Sequence, residues 1–443
     1  MRIDRLSVRN FKGFAARDFM FHPEFNLIVG TNGTGKTSAL DALSVAIGSW
    51  FLGMRGTDSR SIRSTEVLLG DFEHEEIDDE GQRHFSVQWE RIYPCEVKAH
   101  GRVQGGEINW SRSLNTPNGR TTYGEAGAIK RLATETDRRI RDGEDSPLPL
   151  LSYYGTGRLW QEPRESFQVT DPLKVADKEQ QSRLSGYLNS VDPRLSVSQL
   201  TRWIARQSWI AFQQQQRDAP VFRAVREAIL ACVEDAEHLY FDAKLGEVVV
   251  EFSGGGVQPF SNLSDGQRCM LAMVGDIAQK AAKLNPQFGG KTLEQTAGVV
   301  LIDELDLHLH PRWQRHVIED LRRTFPGIQF ICTTHSPFLI QSLRSGEELI
   351  MLDGQPTAEV ANRSIDEIAQ GIQGVANPQV SQRYEEMKGA ARRYLELLEQ
   401  GTASPPQRLE AFKQRLAESI APYADNPAFQ AFLELKRAAT LGE

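Results

Sequence analysis

Gly30-Thr31-Asn32-Gly33-Thr34-Gly35-Lys36-Thr37, followed by Ser38, has the spacing G-x-x-x-x-G-K-[ST]. These residue types suit a phosphate-binding loop, or P-loop. The glycines let consecutive backbone N–H groups turn inward with no Cβ in the way. A helix starting at the end of the loop adds partial positive charge. Lys36 reaches the β- and γ-phosphates of a nucleoside triphosphate, and the Thr37 hydroxyl is a ligand for Mg²⁺. A second group is Asp303-Glu304, which ends the apolar run Val299-Val300-Leu301-Ile302. Asp303 is placed to hold Mg²⁺, and Glu304 to polarise the attacking water as general base. A third is Leu263-Ser264-Asp265-Gly266-Gln267-Arg268, which opens a helix. Ser-x-Gly at a helix N-terminus is an anion site, of little use to a monomer that already has a P-loop. His335 lies at the C-terminal end of the next buried strand, read within Gly327 to Pro337.

The elements around these residues read consistently. Phe25–Val29 is a short apolar strand, and Leu40, Leu43 and Ile47 recur at helical spacing after the loop. Residues 2–8 alternate polar and apolar, and Arg17–Phe25 reads as a second strand, so a β-hairpin precedes the site. The stretch 50–70 reads as a surface connection or, as the alternative, a mobile loop near the nucleotide. The acids of 71–80 read as a solvated turn ending at Gly81. Phe85, Val87 and Trp89 read as a half-buried strand with Ile108 and Trp110 in its hairpin partner, and a helix is expected at 125–141. Leu148–Tyr154 is a buried strand, and Arg158 and Gln161 beyond it face a phosphate or Mg²⁺, or belong to a surface turn. Residues 160–195 read as a long connection. Two helices, marked by Leu200, Trp203, Ile204 and Ala211 and then by Val221, Val225 and Ile229, precede strands at 239–241 and 247–252.

Trp313, Val317, Leu321 and Phe325 extend one helix from Pro311. His308 and His310 read as loop and helix-cap residues. Glu348–Leu352 is a last strand. The helical tail then has Tyr384, Met387, Ala391, Tyr394 and Leu398 on one face. The resulting division is 1–75 and 241–355 for the nucleotide-binding lobe, 76–240 for an insertion whose strand near 148–154 is a candidate for the core, and 356–443 for the tail.

The 443 residues carry a formal net charge of −8, with 40% hydrophobic and 25% charged residues. These are ordinary globular values. The charge argues against a protein that coats DNA through uniform positive charge. No apolar stretch has the length of a membrane span, and the N-terminus lacks the apolar core of a signal peptide, so a cytoplasmic location is expected. Cys95, Cys232, Cys269 and Cys332 are scattered, as expected of buried small residues in a reducing compartment.

The order P-loop, Ser264–Gln267, Asp303-Glu304, His335 resembles that of ABC-type ATPases, with Leu-Ser-Asp-Gly-Gln as a variant of their signature. The resemblance implies an α/β P-loop NTPase fold with an ABC-type ATPase head, and ATP and Mg²⁺ as substrate and cofactor. It further implies that Ser264 and Gly266, with their neighbours Asp265 and Gln267, bind the γ-phosphate of ATP held by a second subunit. His335 resembles the switch histidine, and Leu305-Asp306 the loop crossing the dimer interface.

The phrases Leu6-Ser7-Val8-Arg9-Asn10-Phe11-Lys12-Gly13-Phe14 and Asp303 to Pro311 resemble the soluble SMC/RecF/OLD-like branch. Tyr153-Tyr154-Gly155-Thr156-Gly157-Arg158, Trp313-Gln314 and Ser381-Gln382-Arg383-Tyr384 resemble the PtuA ATPases of Septu and retron-linked anti-phage systems. That resemblance implies a homodimer or higher oligomer of head-to-tail pairs, acting as a regulator of an HNH-type nuclease partner, with no membrane role. The alternative is a RecF-like clamp that grips DNA itself, for which Arg138, Arg139, Arg141, Arg322 and Arg323 are candidate contacts.

Overall fold

The computed structural model describes residues 1–77, 83–158, 182–214, 218–353, 363–401, 414, 418 and 427–441. Two compact units are present, Met1–Ile365 and Asp366–Glu443. In the first, β1 (Arg2–Phe11) and β2 (Phe14–Met20) form an antiparallel hairpin, and β3 (Phe25–Val29) runs into the glycine loop and α1 (Lys36–Gly48). A hairpin of β4 (Leu69–Ile77) and β5 (Arg83–Arg91) follows, then a second of β6 (Cys95–Val103) and β7 (Gly106–Leu114). After α2 (Gly127–Arg141) come β8 (Leu150–Tyr154), α3 (Val197–Gln213) and α4 (Pro220–Cys232). Next is the antiparallel set β9 (Ala236–Asp242), β10 (Glu247–Phe252) and β11 (Val257–Pro259). The unit continues with α5 (Asp265–Leu284), α6 (Thr292–Gln295), β12 (Gly298–Ile302), α7 (Pro311–Gln314), α8 (Val317–Thr324), β13 (Ile328–Thr333), α9 (Pro337–Gln341) and β14 (Leu349–Met351).

Five strands make the sheet that carries the site, in the order β14-β3-β13-β12-β8, and every pair in it is parallel. A parallel sheet is covered on both faces, so its strands read as unbroken apolar runs. All five residues of β3, β8 and β12 are buried, as are all six of β13. Each fully buried Leu or Ile here contributes about 1.5–3 kcal/mol. A second, antiparallel sheet has the order β2-β1-β6-β7. α1 packs against strands of both sheets, and the Trp110 indole N–H of β7 donates to the Ala46 carbonyl at 2.9 Å. β6, β7 and β8, all within 76–240, therefore complete the two sheets begun by residues 2–29.

Several expectations are corrected. The stretch 50–70 is packed in place: Trp50, Phe51, Met54, Ile62 and Val67 are buried. The Trp50 indole N–H donates to the Tyr187 hydroxyl at 3.1 Å, and that hydroxyl donates to the Pro149 carbonyl at 2.9 Å. Its glycines and Ser/Arg patch hide this, because buried residues spaced along irregular backbone have no period to detect. Residues 71–77 are strand, and 78–82 lie outside the described residues. β5 pairs with β4, and Ile108 and Trp110 pair with β6, so the expected hairpin joined the wrong halves of two. Val87 and Trp89 are 56% and 67% exposed, not half-buried. The helix from Pro311 breaks into α7 and α8 at Arg315-His316.

Most of 160–195, through residue 181, lies outside the described residues, as does Gln161. The second unit holds α11 (Gln382–Gly401), α12 (Pro427–Leu441) and, at its start, α10 (Ile365–Gly371). Tyr394 of α11 and Leu433 of α12 are buried, whereas Tyr384, expected on the apolar face, is half exposed.

Candidate nucleotide-binding and hydrolysis site

The loop between β3 and α1 bends through Gly33 (φ 86°) and Gly35 (φ 101°). At Gly35 a Cβ would also lie 2.7 Å from the Phe14 ring, so only glycine combines the left-handed backbone with that contact. Lys36 is buried, and its ammonium donates to the loop's own carbonyls, Gly30 at 2.8 Å and Thr31 at 3.0 Å. Burial pushes its pKa below the ordinary value, against the pull of Asp353, Glu304, Asp303 and Asp306. The field at the loop is thus shared between one cation and four carboxylates, an arrangement that an incoming polyphosphate and divalent cation would rebalance. Thr34 closes the turn by donating its hydroxyl to Thr31 at 2.9 Å, and Asn32 is exposed.

The adjacent parallel strands deliver the acids. Asp303 follows β12, and its amide donates to the Tyr154 carbonyl of β8 at 2.8 Å. One carboxylate oxygen accepts from the Thr37 hydroxyl at 2.9 Å, the other from the Thr333 hydroxyl at 2.6 Å. Thr333 Oγ1 also accepts from the Glu304 amide at 2.7 Å. Glu304 has a left-handed backbone (φ 49°) and a partly exposed side chain. Thr37 and Asp303 offer a hydroxyl and a carboxylate to the same point, the oxygen donors that Mg²⁺ takes. Thr37 and Asp303 would hold a Mg²⁺ there, and the ion would supply charge neutralisation for a bound polyphosphate.

Asp306 accepts from the Thr334 hydroxyl at 2.5 Å, and Thr334 Oγ1 in turn accepts from the Ser336 amide at 2.9 Å. The Ser336 hydroxyl donates to Gln314 at 2.5 Å. This chain ties the loop after β12 to the turn carrying His335, which is exposed at the end of β13.

Ser264 caps α5. Its hydroxyl accepts from the Gln267 amide at 3.4 Å, and the Gln267 side chain returns a bond from the Ser264 amide at 3.0 Å, a capping box. Asp265 pairs with Arg268 in the same turn. Gly266 packs against the His308 carbonyl, where a Cβ would come within 2.6 Å. Among the described residues no hydrogen bond joins Ser264–Gln267 to residues 30–38 of the same copy.

Other candidates resolve differently. Arg158 is not a surface residue: it is 1% exposed and bonded to backbone carbonyls, including those of Asp303 and Glu304. His310 caps α7, its ring nitrogen accepting from the Arg312 amide at 3.3 Å. All four cysteines are buried and free, and burial pushes the Cys95 and Cys232 thiols up to about 12. The arginine clusters are engaged: Arg138 and Arg139 with Glu135, Arg141 with Asp137, Arg323 with Asp320, and buried Arg322 with Glu348.

Sequence reasoning missed Asp353 and Thr333. Asp353 follows β14 and accepts from the Thr31 amide at 2.9 Å and the Thr31 hydroxyl at 2.7 Å. These bonds hold its carboxyl below the ordinary value. Neither residue belongs to a spaced pattern, and only the strand order brings them to the loop.

A P-loop after one strand of a parallel sheet, with an Asp-Glu pair delivered two strands away, defines a P-loop ATPase. The chain belongs to the family described as AAA domain, putative AbiEii toxin, Type IV TA system, which matches residues 25–341. It is 23% identical over 393 residues to the retron Vc95 probable ATPase of Vibrio cholerae serotype O1 biovar El Tor, covering 78% of this chain and 72% of that one. A shorter match, 34% identical over 134 residues, is to Septu protein PtuA of Bacillus mycoides (strain KBAB4), covering 30% of this chain and 18% of that one. Among solved structures, an SMC head bound to the C-winged helix domain of ScpA is 17% identical. Its TM-score is 0.45, and the match covers 82% of this chain and 98% of that one. Among the described residues no helix is long and apolar enough to cross a membrane.

Proposed function

We propose that this ATPase works as a head-to-tail dimer, in which the Ser264–Gln267 turn of each copy closes over the triphosphate on the other's P-loop. The observation that carries the reading is the exposed Ser264 at the N-terminus of the 20-residue α5. Its hydroxyl and the Asp265 and Gly266 amides at the helix N-terminus are the groups that would meet a phosphate on a chain whose own phosphate loop lies elsewhere. In this reading Lys36 and the loop amides bind the phosphates, Thr37 and Asp303 hold Mg²⁺, and Glu304 takes a proton from the attacking water. His335 and Ser264 sense the γ-phosphate, and Asp306 lies at the interface. Loss of that phosphate removes charge-assisted bonds, so the dimer loosens.

Its similarity to retron and Septu ATPases supports a role in anti-phage defence, with the nucleotide state controlling an HNH-type nuclease partner in the cytoplasm. The RecF-like alternative has less support, because the arginines that would make a basic groove are already paired with carboxylates. Co-expression with the products of neighbouring genes tests the reading. Recovery of a nuclease whose activity changes with ATP is expected. A protein purified alone that binds duplex DNA with a steep salt dependence would favour the clamp.

A further inference from the structure

Arg158 is a fully buried cation whose partners, among the described residues, are all uncharged. Its guanidinium donates to the Gly155 carbonyl at 3.1 Å, the Asp303 carbonyl at 2.7 Å, the Glu304 carbonyl at 2.9 Å and the Cys269 sulfur at 3.1 Å. A buried guanidinium that holds four acceptors persists where its geometry is needed.

Two of its acceptors are the consecutive carbonyls of Asp303 and Glu304. Glu304 has a left-handed φ of 49°, a strained conformation for a residue with a Cβ, which lasts only when its surroundings over-determine it. Those surroundings are visible: Thr333 Oγ1 holds the Glu304 amide at 2.7 Å, and Arg158 Nη2 holds its carbonyl. The two together set where the Glu304 carboxylate is presented. Its Nε donates to Cys269 in α5, two residues beyond the Ser264–Gln267 cap.

We infer that Arg158 is a positioning residue that fixes the backbone of Glu304 and ties it to the helix bearing the Ser264 turn. Displacement of α5 is then felt at the general base through a single planar guanidinium. Lysine cannot replace it, since one ammonium cannot span three carbonyls and a sulfur in one plane. The inference rests on Glu304 acting as general base, which Glu304→Gln tests separately.

The experiment compares Arg158→Lys, Arg158→Ala, Cys269→Val and Cys269→Ser in the full chain, reading ATP affinity with a fluorescent ATP analogue and kcat by phosphate release. Arg158→Lys is expected to keep its ATP affinity within about twofold while kcat falls on the order of 100-fold, the scale of a misplaced catalytic group. Added guanidinium should restore much of the kcat of Arg158→Ala, and methylammonium should not. Cys269→Val is expected to lower kcat, and Cys269→Ser, which keeps an acceptor, to leave it near wild type. Wild-type kcat in Arg158→Lys would overturn the inference, as would an equal loss of affinity and rate, which would mark Arg158 as a phosphate ligand. If Glu304→Gln turns over normally, the general-base reading fails. If Glu304→Gln is inactive and Arg158→Lys is not, only this inference fails.

Discussion

Thr37 Oγ1 lies 2.9 Å from Asp303 Oδ2, joining the first turn of α1 to the end of β12 across the intervening strand β13. The contact puts a hydroxyl and a carboxylate at one point beside the phosphate loop. Asp303→Asn is expected to retain Mg²⁺-free nucleotide binding but lose the Mg²⁺-dependent gain in affinity, with kcat down on the order of 10²-fold. Titration of ATP with and without Mg²⁺ checks this; an unchanged Mg²⁺ response would remove Asp303 from metal binding. Lys36→Ala is expected to abolish nucleotide binding in the same assay.

Glu304→Gln keeps size and hydrogen bonding but cannot accept a proton. Its kcat should fall about 10²–10⁴-fold while ATP stays bound and the closed dimer accumulates. Single-turnover phosphate release measures the chemical step directly. A wild-type rate would take Glu304 out of its role.

Asp353 clasps the first half of the P-loop through Thr31. Asp353→Ala should weaken ATP binding about tenfold, an effect of about 1.4 kcal/mol expected for a lost charge-assisted hydrogen bond. Because the folded-state pKa of Asp353 lies below its ordinary value of 3.8, the clasp is complete above that value. It is lost as pH falls through the lower folded-state value. Between about pH 5 and 8 the ratio of wild-type to Asp353→Asn affinity should therefore be flat. A ratio that titrates in that window would contradict the assignment.

Arg322 is buried against Glu348 at 2.6 Å and lies over the Phe25 ring at 5.2 Å. Arg322→Ala leaves the Glu348 carboxylate buried and without this cation, which costs about 3–5 kcal/mol. Chemical denaturation should show that loss, whereas Arg138→Ala, on an exposed helix face, should leave stability nearly unchanged. Equal effects at the two positions would contradict the packing described for Arg322.

The site was legible where chemistry imposes a local spacing. The glycine loop, the Asp303-Glu304 pair and the Ser264 cap are contiguous phrases, and their strands are apolar runs that only a covered parallel sheet explains. The misreadings share one cause: strand pairing is a long-range choice that alternation alone cannot assign. Trp110 could pair with Trp89 or with Ala99 on equal local grounds, and the register with β6 decides it. The buried setting of Arg158 and the roles of Asp353 and Thr333 escaped for the same reason. Their partners are 145, 322 and 30 residues away, joined only once the order β14-β3-β13-β12-β8 is known.

The central claim is that each ATP is completed by two copies of the chain, and mixing two inactive variants tests it. Lys36→Ala lacks a phosphate loop but keeps Ser264; Ser264→Arg blocks the cap turn but keeps the loop. A head-to-tail dimer formed from one of each contains one intact composite site. The mixture should therefore regain up to about a quarter of wild-type ATPase activity, half the dimers being mixed with one working site of two. A mixture as inactive as its components, with both variants folded, would contradict the account.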